Sequence, residues 1–457
     1  MSGLVSCRAP EPLRLASPIQ DDEPADQAVE AADETGAASD KAPILDGIDA
    51  DGRIPKAKVP PDIEKPERWR YVPEGRLIDG NLFDRFLISS FIVPLFFFEE
   101  DIGFGGGVAV TDIDFRNQRR REFAGINLSY TTEGQQSYRI RWRRWLHHRD
   151  LDGGGIIQEE RSHYGASVGF TKTLTRRFFG FGSRTKERNE TSYTSEVSGV
   201  SVDYQQSFPT TGDDFVFGLG ARLEHRDLAK GRVSGIPSTD DAFPVLFKSD
   251  DAHDSLSLNG GVRWDVRDSQ HLPYRGGTVG LGIYSQPLQT SSDVGAVIGL
   301  DGSWIFPMPP LLHDGGDADE EHPPTDSLAF GSFVNSTTGD LPFWALPSLG
   351  GSDTLRGYIG NRWTDRSSWH ASAEYRFWAV PRGVAITRRI RIERLGMAVF
   401  AEMGSVAPRL DRLGSAVIRE SYGVSFRATF DRQALFRIDV GWSPEGTNLT
   451  IAYGLSF

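Results

Sequence analysis

One short motif in the sequence has the spacing of a hydrolase nucleophile. Residues 165–169 read GASVG and match G-x-S-x-G, in which the serine lies on a sharp turn between a strand and a helix. The flanking apolar residues Tyr164 and Phe170 belong to one period-two alternation that runs through the motif without a break. We therefore predict that Ser167 is a polar position within a strand. The chain is expected not to be an enzyme, and an esterase acting through Ser167 is a remote alternative.

Histidines and acids occur in two groups that resemble metal ligands. His147 and His148 are adjacent, and residues 250–254 read DDAHD. Neither group has companion ligands at the spacings that metal sites use. The single cysteine, Cys7, cannot form an internal disulfide or a cysteine cluster. We expect solvated loops at both places, with no metal and no cofactor.

The composition of the 457-residue chain favours strands over helices. It has 50 glycines together with 28 Phe, 12 Tyr and 10 Trp, whereas helical bundles are rich in Ala, Leu, Glu and Lys. The net charge of -13 argues against broad phosphate neutralisation, so we expect no nucleic-acid partner. The mean hydropathy is -0.37. This value is compatible with a transmembrane barrel, because such a barrel turns only every second side chain towards lipid.

The apolar residues follow a strand period and do not form a membrane-spanning helix. The longest apolar stretch, residues 87–98, is shorter than the roughly 20 residues that a spanning helix needs, and it contains Pro94. About fifteen segments of period two follow one another between Gly103 and Phe457, separated by clusters of Gly, Pro, Asp and Asn. The clearest segments are Ser137–Trp145, Phe215–Glu224, Leu256–Arg267, Trp369–Phe377, Tyr422–Phe430, Phe436–Trp442 and Leu449–Phe457.

The polar faces of these segments carry many charges. In Ser137–Trp145, for example, three arginines alternate with large apolar side chains. A soluble sandwich or propeller, the alternative, must bury one face of each strand in a thin core. A closed barrel with lipid outside and water inside accommodates all of the segments. Bacterial barrels have an even number of antiparallel strands, so we predict an all-β fold, a transmembrane antiparallel β-barrel with sixteen strands. Its long connections (228–255, 307–325 and 342–367) are expected at one end.

The first 80 residues differ in composition from the rest. Residues 1–75 hold 10 of the 26 prolines, only two aromatic residues, and 16 acids against 9 bases. That leaves too little apolar surface to offset the entropy of the chain. We predict a disordered acidic leader over residues 1–80 and a barrel over residues 81–457. Leu4–Cys7 resembles the end of a lipoprotein signal, and the alternative is a chance cysteine in a flexible tail.

Residues 346–375 carry a resemblance to a known family. They contain the tetrad Leu355-Arg356-Gly357-Tyr358, and the stretch is similar to the inward-folded loop of the BamA/TamA family of outer-membrane barrels, also called the bacterial surface antigen superfamily. The hallmark of that loop is an aliphatic-Arg-Gly-aromatic tetrad. Further matches occur in the family's order at residues 178–182 (FFGFG), 265–268 (DVRD), 400–404 (FAEMG) and 423–427, and the chain ends in Phe457.

The sequence departs from the family pattern in two places. Glu402 stands where the family usually has Asp, which keeps the charge on a longer arm. The leader shows no βαα pattern of the POTRA domains that precede the barrel in the family's assembly factors.

The resemblance implies a location and a function. It implies a barrel in the bacterial outer membrane with its leader in the periplasm, a loop over residues 346–366 that folds inward, and a role in inserting proteins into, or translocating them across, that membrane. The implied partners are outer-membrane lipid, the barrel-assembly machinery and a periplasmic partner or polypeptide client. The alternative is a barrel without POTRA domains that acts as a pore, a surface antigen or a partner-dependent translocation subunit.

Arg356 needs a carboxylate partner if the loop lies inside the barrel. An unpaired charge in a confined site is costly, and a planar guanidinium matches a carboxylate with two hydrogen bonds. Glu402 is the first candidate, and Asp439, on the polar face of its segment, is the second. We expect Gly357 to let the loop turn closely and Tyr358 to pack within the lumen. The ion pair either pins a plug-like loop or takes part in gating.

The end of the chain resembles a signal by which the assembly machinery recognises barrels. Tyr453, Leu455 and Phe457 continue the apolar face of the last segment to the terminal residue. We expect this face to serve as an assembly signal and to seal the last strand against the first.

Overall fold

The computed structural model of the chain describes residues 53, 56, 59–72, 90–99, 103–112, 116, 119–152, 154–247, 252–290, 293–317, 319–320, 323–385, 391–430 and 434–457. Regular structure in these ranges is almost entirely β-strand. The strands, in chain order, are β1 (Trp69–Val72), β2 (Ser90–Glu99), β3 (Gly103–Asp112), β4 (Glu122–Thr131), β5 (Gln136–Trp145), β6 (His148–Asp150), β7 (Ile156–Glu159), β8 (His163–Phe178), β9 (Thr191–Phe208), β10 (Phe215–Lys230), β11 (His253–Asp265), β12 (Gly276–Gln289), β13 (Gly295–Met308), β14 (Asp326–Gly339), β15 (Ser348–Leu349), β16 (Trp363–Thr364), β17 (Ser367–Val380), β18 (Val384–Ala385), β19 (Arg391–Ile392), β20 (Arg394–Ala407), β21 (Arg419–Phe430), β22 (Ala434–Ser443) and β23 (Gly446–Tyr453).

Sixteen of these strands form one sheet. Their order is β2-β3-β4-β5-β8-β9-β10-β11-β12-β13-β14-β17-β20-β21-β22-β23, and the neighbouring strands pair antiparallel. The predicted all-β architecture with sixteen antiparallel strands is therefore confirmed. Within the described residues, the ladder ends at β2 and β23, and no backbone pairing joins those two strands. Short sheets β1-β7-β6, β15-β16 and β18-β19 lie outside the main sheet.

The two faces of the sheet are opposite in character to those of a soluble protein. On β20, Val399 and Met403 are 48% and 45% exposed, whereas Phe400 and Glu402 on the other face are both 4% exposed. The same alternation, apolar outward and polar inward, runs through the long strands, as a barrel surrounded by lipid requires. The polar face encloses the space that we call the lumen.

Contacts between distant strands show that the sheet curls around this lumen. Arg419 on β21 donates from Nη2 to the carbonyl oxygen of Ser183, which follows β8, at 2.6 Å. Arg362, which precedes β17, donates to the carbonyl oxygen of Thr185 at 3.0 Å. The connection that follows β8 is many strands away from β17 and β21 in the sheet. These contacts therefore require the sheet to curl around its interior.

The connections divide between two ends of the barrel. Connections 179–190, 231–252 and 340–366 lie at one end, which we call the loop end, while 146–162 and 309–325 lie at the other, the leader end. The expectation that all the long connections share one end is thus wrong. Consecutive antiparallel strands reverse direction, so the connection from β13 to β14 lies opposite the connection from β14 to β17.

Part of the leader is attached to the leader end. Strand β1 pairs over four residues with β7, from Trp69 opposite Glu159 to Val72 opposite Ile156. Lys65 Nζ lies 2.9 Å from Asp214 Oδ1, and this hydrogen bond raises the pKa of Lys65. The structure thus differs, over residues 59–72, from the disorder expected for the leader, because β7 supplies a strand partner for β1 and Asp214 of the barrel pairs with Lys65. Cys7 lies outside the described residues.

The hydrolase and metal motifs occupy ordinary strand and connection positions. Ser167 lies within β8, and its hydroxyl is 2.8 Å from that of Ser201 on β9, which confirms the predicted strand. His148 begins β6, and His253, which is 2% exposed, begins β11. The expectation of solvated loops at both places is therefore wrong, because strands begin at these residues. No group of three or more His, Cys, Asp or Glu residues able to hold a metal is found in the part of the chain that the structure describes. No described helix is long and apolar enough to cross a membrane.

Candidate functional site: a loop anchored in the lumen

The loop that carries the tetrad folds into the lumen. Its two arms pair as β15 and β16, and Gly350 and Gly351, both at φ +108, redirect the chain between them. Leu355, at φ +44, forms the turn at the tip. Leu355 and Tyr358 are 0% and 3% exposed, so the tip is enclosed by the protein.

Two glycines bring the loop backbone against strand β22. A Cβ on Gly357 would lie 2.5 Å from the carbonyl oxygen of Trp442, and a Cβ on Gly441 would lie 2.6 Å from the carbonyl of Arg356. The role of Gly357 is therefore close approach, while the turn itself is made by Leu355. This difference from the sequence-based expectation follows from the packing of the loop on a strand distant in sequence.

Arg356 meets three acids of the barrel wall. Its Nε lies 2.9 Å from Glu402 Oε1, and its backbone N–H donates to Glu402 Oε2 at 2.6 Å. Its Nη1 lies 2.7 Å from Glu374 Oε1 and 3.8 Å from Asp439 Oδ2. All four side chains are 0% exposed. The longer arm of Glu402 reaches both the backbone and the side chain of Arg356.

An aromatic ring completes the surroundings of this guanidinium. Arg356 Cζ lies 3.5 Å from the ring centroid of Phe400 on β20, a distance at which a cation and a ring face attract each other. Ser421 on β21 donates to Glu402 Oε2 at 3.0 Å. The tip is thus fixed to strands β17, β20, β21 and β22 together.

Glu374 is the residue of this network that sequence reasoning did not assign. Besides Arg356, its Oε2 accepts from Arg376 Nε and from Arg427 Nη2, each at 2.8 Å. Glu374 and Arg376 lie on the predicted polar face of Trp369–Phe377, so the alternation placed them in the lumen. The alternation did not predict the pairs of Glu374 with Arg356 and Arg427, because those two arginines belong to the loop and to β21.

The network extends to Arg437, which is 1% exposed. Arg437 forms an ion pair with Asp439, and its Nη2 lies 2.9 Å from Asp353 Oδ1 in the loop. Its Nε donates to the carbonyl oxygen of Gly454 at 3.0 Å. One guanidinium therefore ties the loop and the end of the last strand to β22.

The base of the loop has its own anchors. Arg362 forms two hydrogen bonds to the carboxylate of Glu445, both at 2.7 Å, and its Cζ lies 4.5 Å from the ring centroid of Phe179. Phe179 belongs to the FFGFG element, so that element packs on the loop. An apolar cluster fills the space below, formed by Phe333, Leu349, Leu355, Tyr358, Trp363 and Val406.

The last residues of the chain turn into the lumen. Strand β23 ends at Tyr453, and Gly454 adopts φ +77. Ser456 Oγ donates to Glu374 Oε1 at 3.0 Å, and Phe457, 7% exposed, packs with Ile305 and Ala329. The expectation that Leu455 and Phe457 prolong the lipid-facing strand is wrong, since Gly454 breaks the alternation.

The DVRD element lies far from the loop, at the leader end. Arg267 binds Asp265 through Nε at 3.0 Å and Nη2 at 2.7 Å. Arg68 of the leader donates to the carbonyl oxygen of Arg267. This element therefore holds the connection between β11 and β12 and receives the leader, and it does not contact the tetrad.

A model of the Omp85 superfamily domain matches residues 120–456. The chain belongs to the Omp85 superfamily. This confirms the family inferred from the tetrad and its companion motifs, and it places the barrel in the bacterial outer membrane. No curated protein has a sequence that matches the chain.

Two solved structures resemble this Omp85 barrel. BamA from Haemophilus ducreyi lacking POTRA domains 1-3 has 14% sequence identity and a TM-score of 0.49, with 80% of this chain and 70% of that chain covered. CdiB from Acinetobacter baumannii has 12% identity and a TM-score of 0.47, with 80% of this chain and 59% of that chain covered.

Proposed function

We propose that this chain inserts proteins into the bacterial outer membrane or translocates them across it, and that the loop 346–366 controls the process. The observation that carries the proposal is Arg356, fully buried and bound to Glu402 and Glu374, in a chain that the Omp85 model matches over 120–456. A buried ion pair adds little net stability compared with apolar packing. A cluster this large in the lumen is therefore better explained by a requirement for a defined, releasable loop position than by stability alone.

The loop is coupled to the last strand of the sheet. Asn448 on β23 donates to the carbonyl oxygens of Arg356 at 2.9 Å and Tyr358 at 3.0 Å. Among the described residues, β23 has no backbone partner on its outer edge, and an unpaired edge is a template for another strand. We place the passage or insertion of a client at this edge, and the loop then determines how firmly β23 is held.

The position of the leader suggests which end of the barrel faces which side of the membrane. We propose that the leader and its end of the barrel face the periplasm, where a periplasmic partner or a polypeptide client would first be met. Outer-membrane lipid covers the apolar exterior. The barrel-assembly machinery is proposed to insert the chain itself and to read its C-terminal residues Tyr453, Leu455 and Phe457.

Depletion of the chain in its own bacterium tests the proposed function. We expect the depleted cells to lose heat-modifiable barrels or surface-exposed proteins from the outer membrane, as measured by quantitative proteomics of that membrane. A wild-type copy should restore them, and a copy with Arg356→Ala should restore them less at equal abundance. Unchanged membrane and surface proteomes, together with ion conductance of the purified barrel, would instead establish the pore alternative.

A further inference from the structure

The wall of the lumen opposite the anchored loop carries a column of arginines. Arg139, Arg141 and Arg143 alternate along β5 with outward-facing Tyr138 and Ile140. Residues two apart on a strand point to the same side and lie roughly 7 Å apart. The three guanidinium groups therefore project from one strand towards the same part of the lumen.

The positions beside this column are small or neutral. Arg139 pairs in register with Gly169 and Arg141 with Ser167 on β8, while Gly125 lies opposite Arg141 on β4. The hydroxyl of Ser167 is 2.8 Å from that of Ser201. The small neighbouring residues thus leave space around the arginine side chains, and the hydroxyl groups of Ser167 and Ser201 are neutral hydrogen-bond donors beside them.

Two acids on neighbouring strands of this wall already have partners. Glu224 on β10 binds Arg222 at 2.8 Å and Arg226 at 2.5 Å, and Asp203 on β9 interacts electrostatically with Arg143. In the described part of the chain, no ion pair involves Arg139 or Arg141. Both side chains are partly exposed, so an ion in the lumen can reach them.

We propose that Arg139 and Arg141 form a binding site for oxyanions that enter the lumen. Two positive charges on one face without a carboxylate repel each other, and an anion placed between them removes that repulsion. The planar fork of a guanidinium pairs with two oxygens of a carboxylate or a phosphate. Both groups have this chemistry, so the ligand is an acidic peptide segment or a phosphate group. The site is independent of the tetrad and of the proposed function.

The test measures the unfolding temperature of the purified full-length barrel in detergent. The readout is heat-modifiable migration on a gel. Sodium chloride is compared with sodium pyrophosphate and with hexaglutamate at equal ionic strength. Ligands that bind the folded state raise its midpoint. We expect the unfolding temperature to rise with at least one oxyanion. A rise with pyrophosphate alone identifies a phosphate group as the ligand, and a rise with hexaglutamate alone identifies an acidic peptide segment.

Matched variants assign the effect to the column. R139Q/R141Q should weaken the apparent affinity about tenfold or more, and R139K/R141K should retain part of it. The control R409Q/R412Q removes two exposed charges from the connection between β20 and β21 at the loop end and should leave the affinity unchanged. In wild-type protein, pyrophosphate or hexaglutamate should also protect Arg139 and Arg141 from an arginine-specific reagent, as measured by mass spectrometry. No response to either anion, or an equal response in R139Q/R141Q, would overturn the proposal. Should that variant fail to fold, absence of protection in wild type overturns it.

Discussion

The lumen has two halves built from the same alternating strands but with different electrostatics. In the half formed by β17 to β22, the side chains of Arg356 and its partners Glu374, Glu402 and Asp439 are all 0% exposed. In the half that contains β5, Arg139 and Arg141 are partly exposed. The loop 346–366 fills the first half and supplies Arg356, which binds these acids together with arginines of the wall. The difference shows that the occupant of a lumen, more than its wall, decides whether inward charges are buried or available.

The largest expected effect is the loss of the acid that binds three arginines. Glu374→Gln should leave Arg356, Arg376 and Arg427 without their shared carboxylate and lower the free energy of unfolding by about 3–5 kcal/mol. The midpoint of denaturant unfolding measures this loss. Glu445→Gln is the control, because Glu445 binds Arg362 at the base of the loop and is 24% exposed, so it should cost much less. Equal losses in both variants would contradict the buried network.

Deleting Phe457 should have the next largest effect on stability. The ring is 7% exposed beside Ile305 and Ala329, and its burial stabilises by about 1.5–3 kcal/mol. Quantity in the outer membrane and the unfolding midpoint are measured separately. A fall in quantity that exceeds the fall in stability supports the assembly signal. Unchanged quantity would leave Phe457 with a packing role only.

Close approach of the loop to β22 can be tested with one methyl group. Gly357→Ala places a Cβ 2.5 Å from the carbonyl oxygen of Trp442, and such overpacking typically costs about 1–3 kcal/mol. We expect faster proteolysis of the loop 346–366 in the folded barrel. Gly360→Ala is the matched control, because a Cβ there meets no atom within 4 Å. Proteolysis at the same rate in both variants would show that the loop is not seated on β22.

Removal of residues 1–72 should have the smallest effect on the barrel. The sixteen strands of the main sheet lie outside the deleted segment, and a partly exposed ion pair such as that of Lys65 with Asp214 contributes about 1 kcal/mol at most. With an export signal supplied, we expect protease-resistant barrels in membranes, with new cleavage in the connection 146–162 because β7 loses its partner β1. Loss of the resistant barrel would mean that the leader is part of the folded core.

The sequence predicted the strands, their inward and outward faces and the family, because these follow from a local period of two and from short motifs. The segment 137–145, for example, lies within β5 as expected. It did not predict the turn at Gly454 or the three-arginine environment of Glu374. Both depend on contacts between residues far apart in the chain, and the same alternating pattern is compatible with many ways of pairing the inward charges.

Arg356 holds the loop in the lumen through Glu402, and a double-mutant cycle on these two residues tests this contact. The variants are Arg356→Glu, Glu402→Arg and both together, with the unfolding midpoint of the purified barrel as the readout. Each single variant places like charges face to face in a buried site and should be strongly destabilised. We expect the double variant to recover part of the loss, with a favourable coupling energy above about 0.5 kcal/mol. Strictly additive losses would contradict the contact and the placement of the loop.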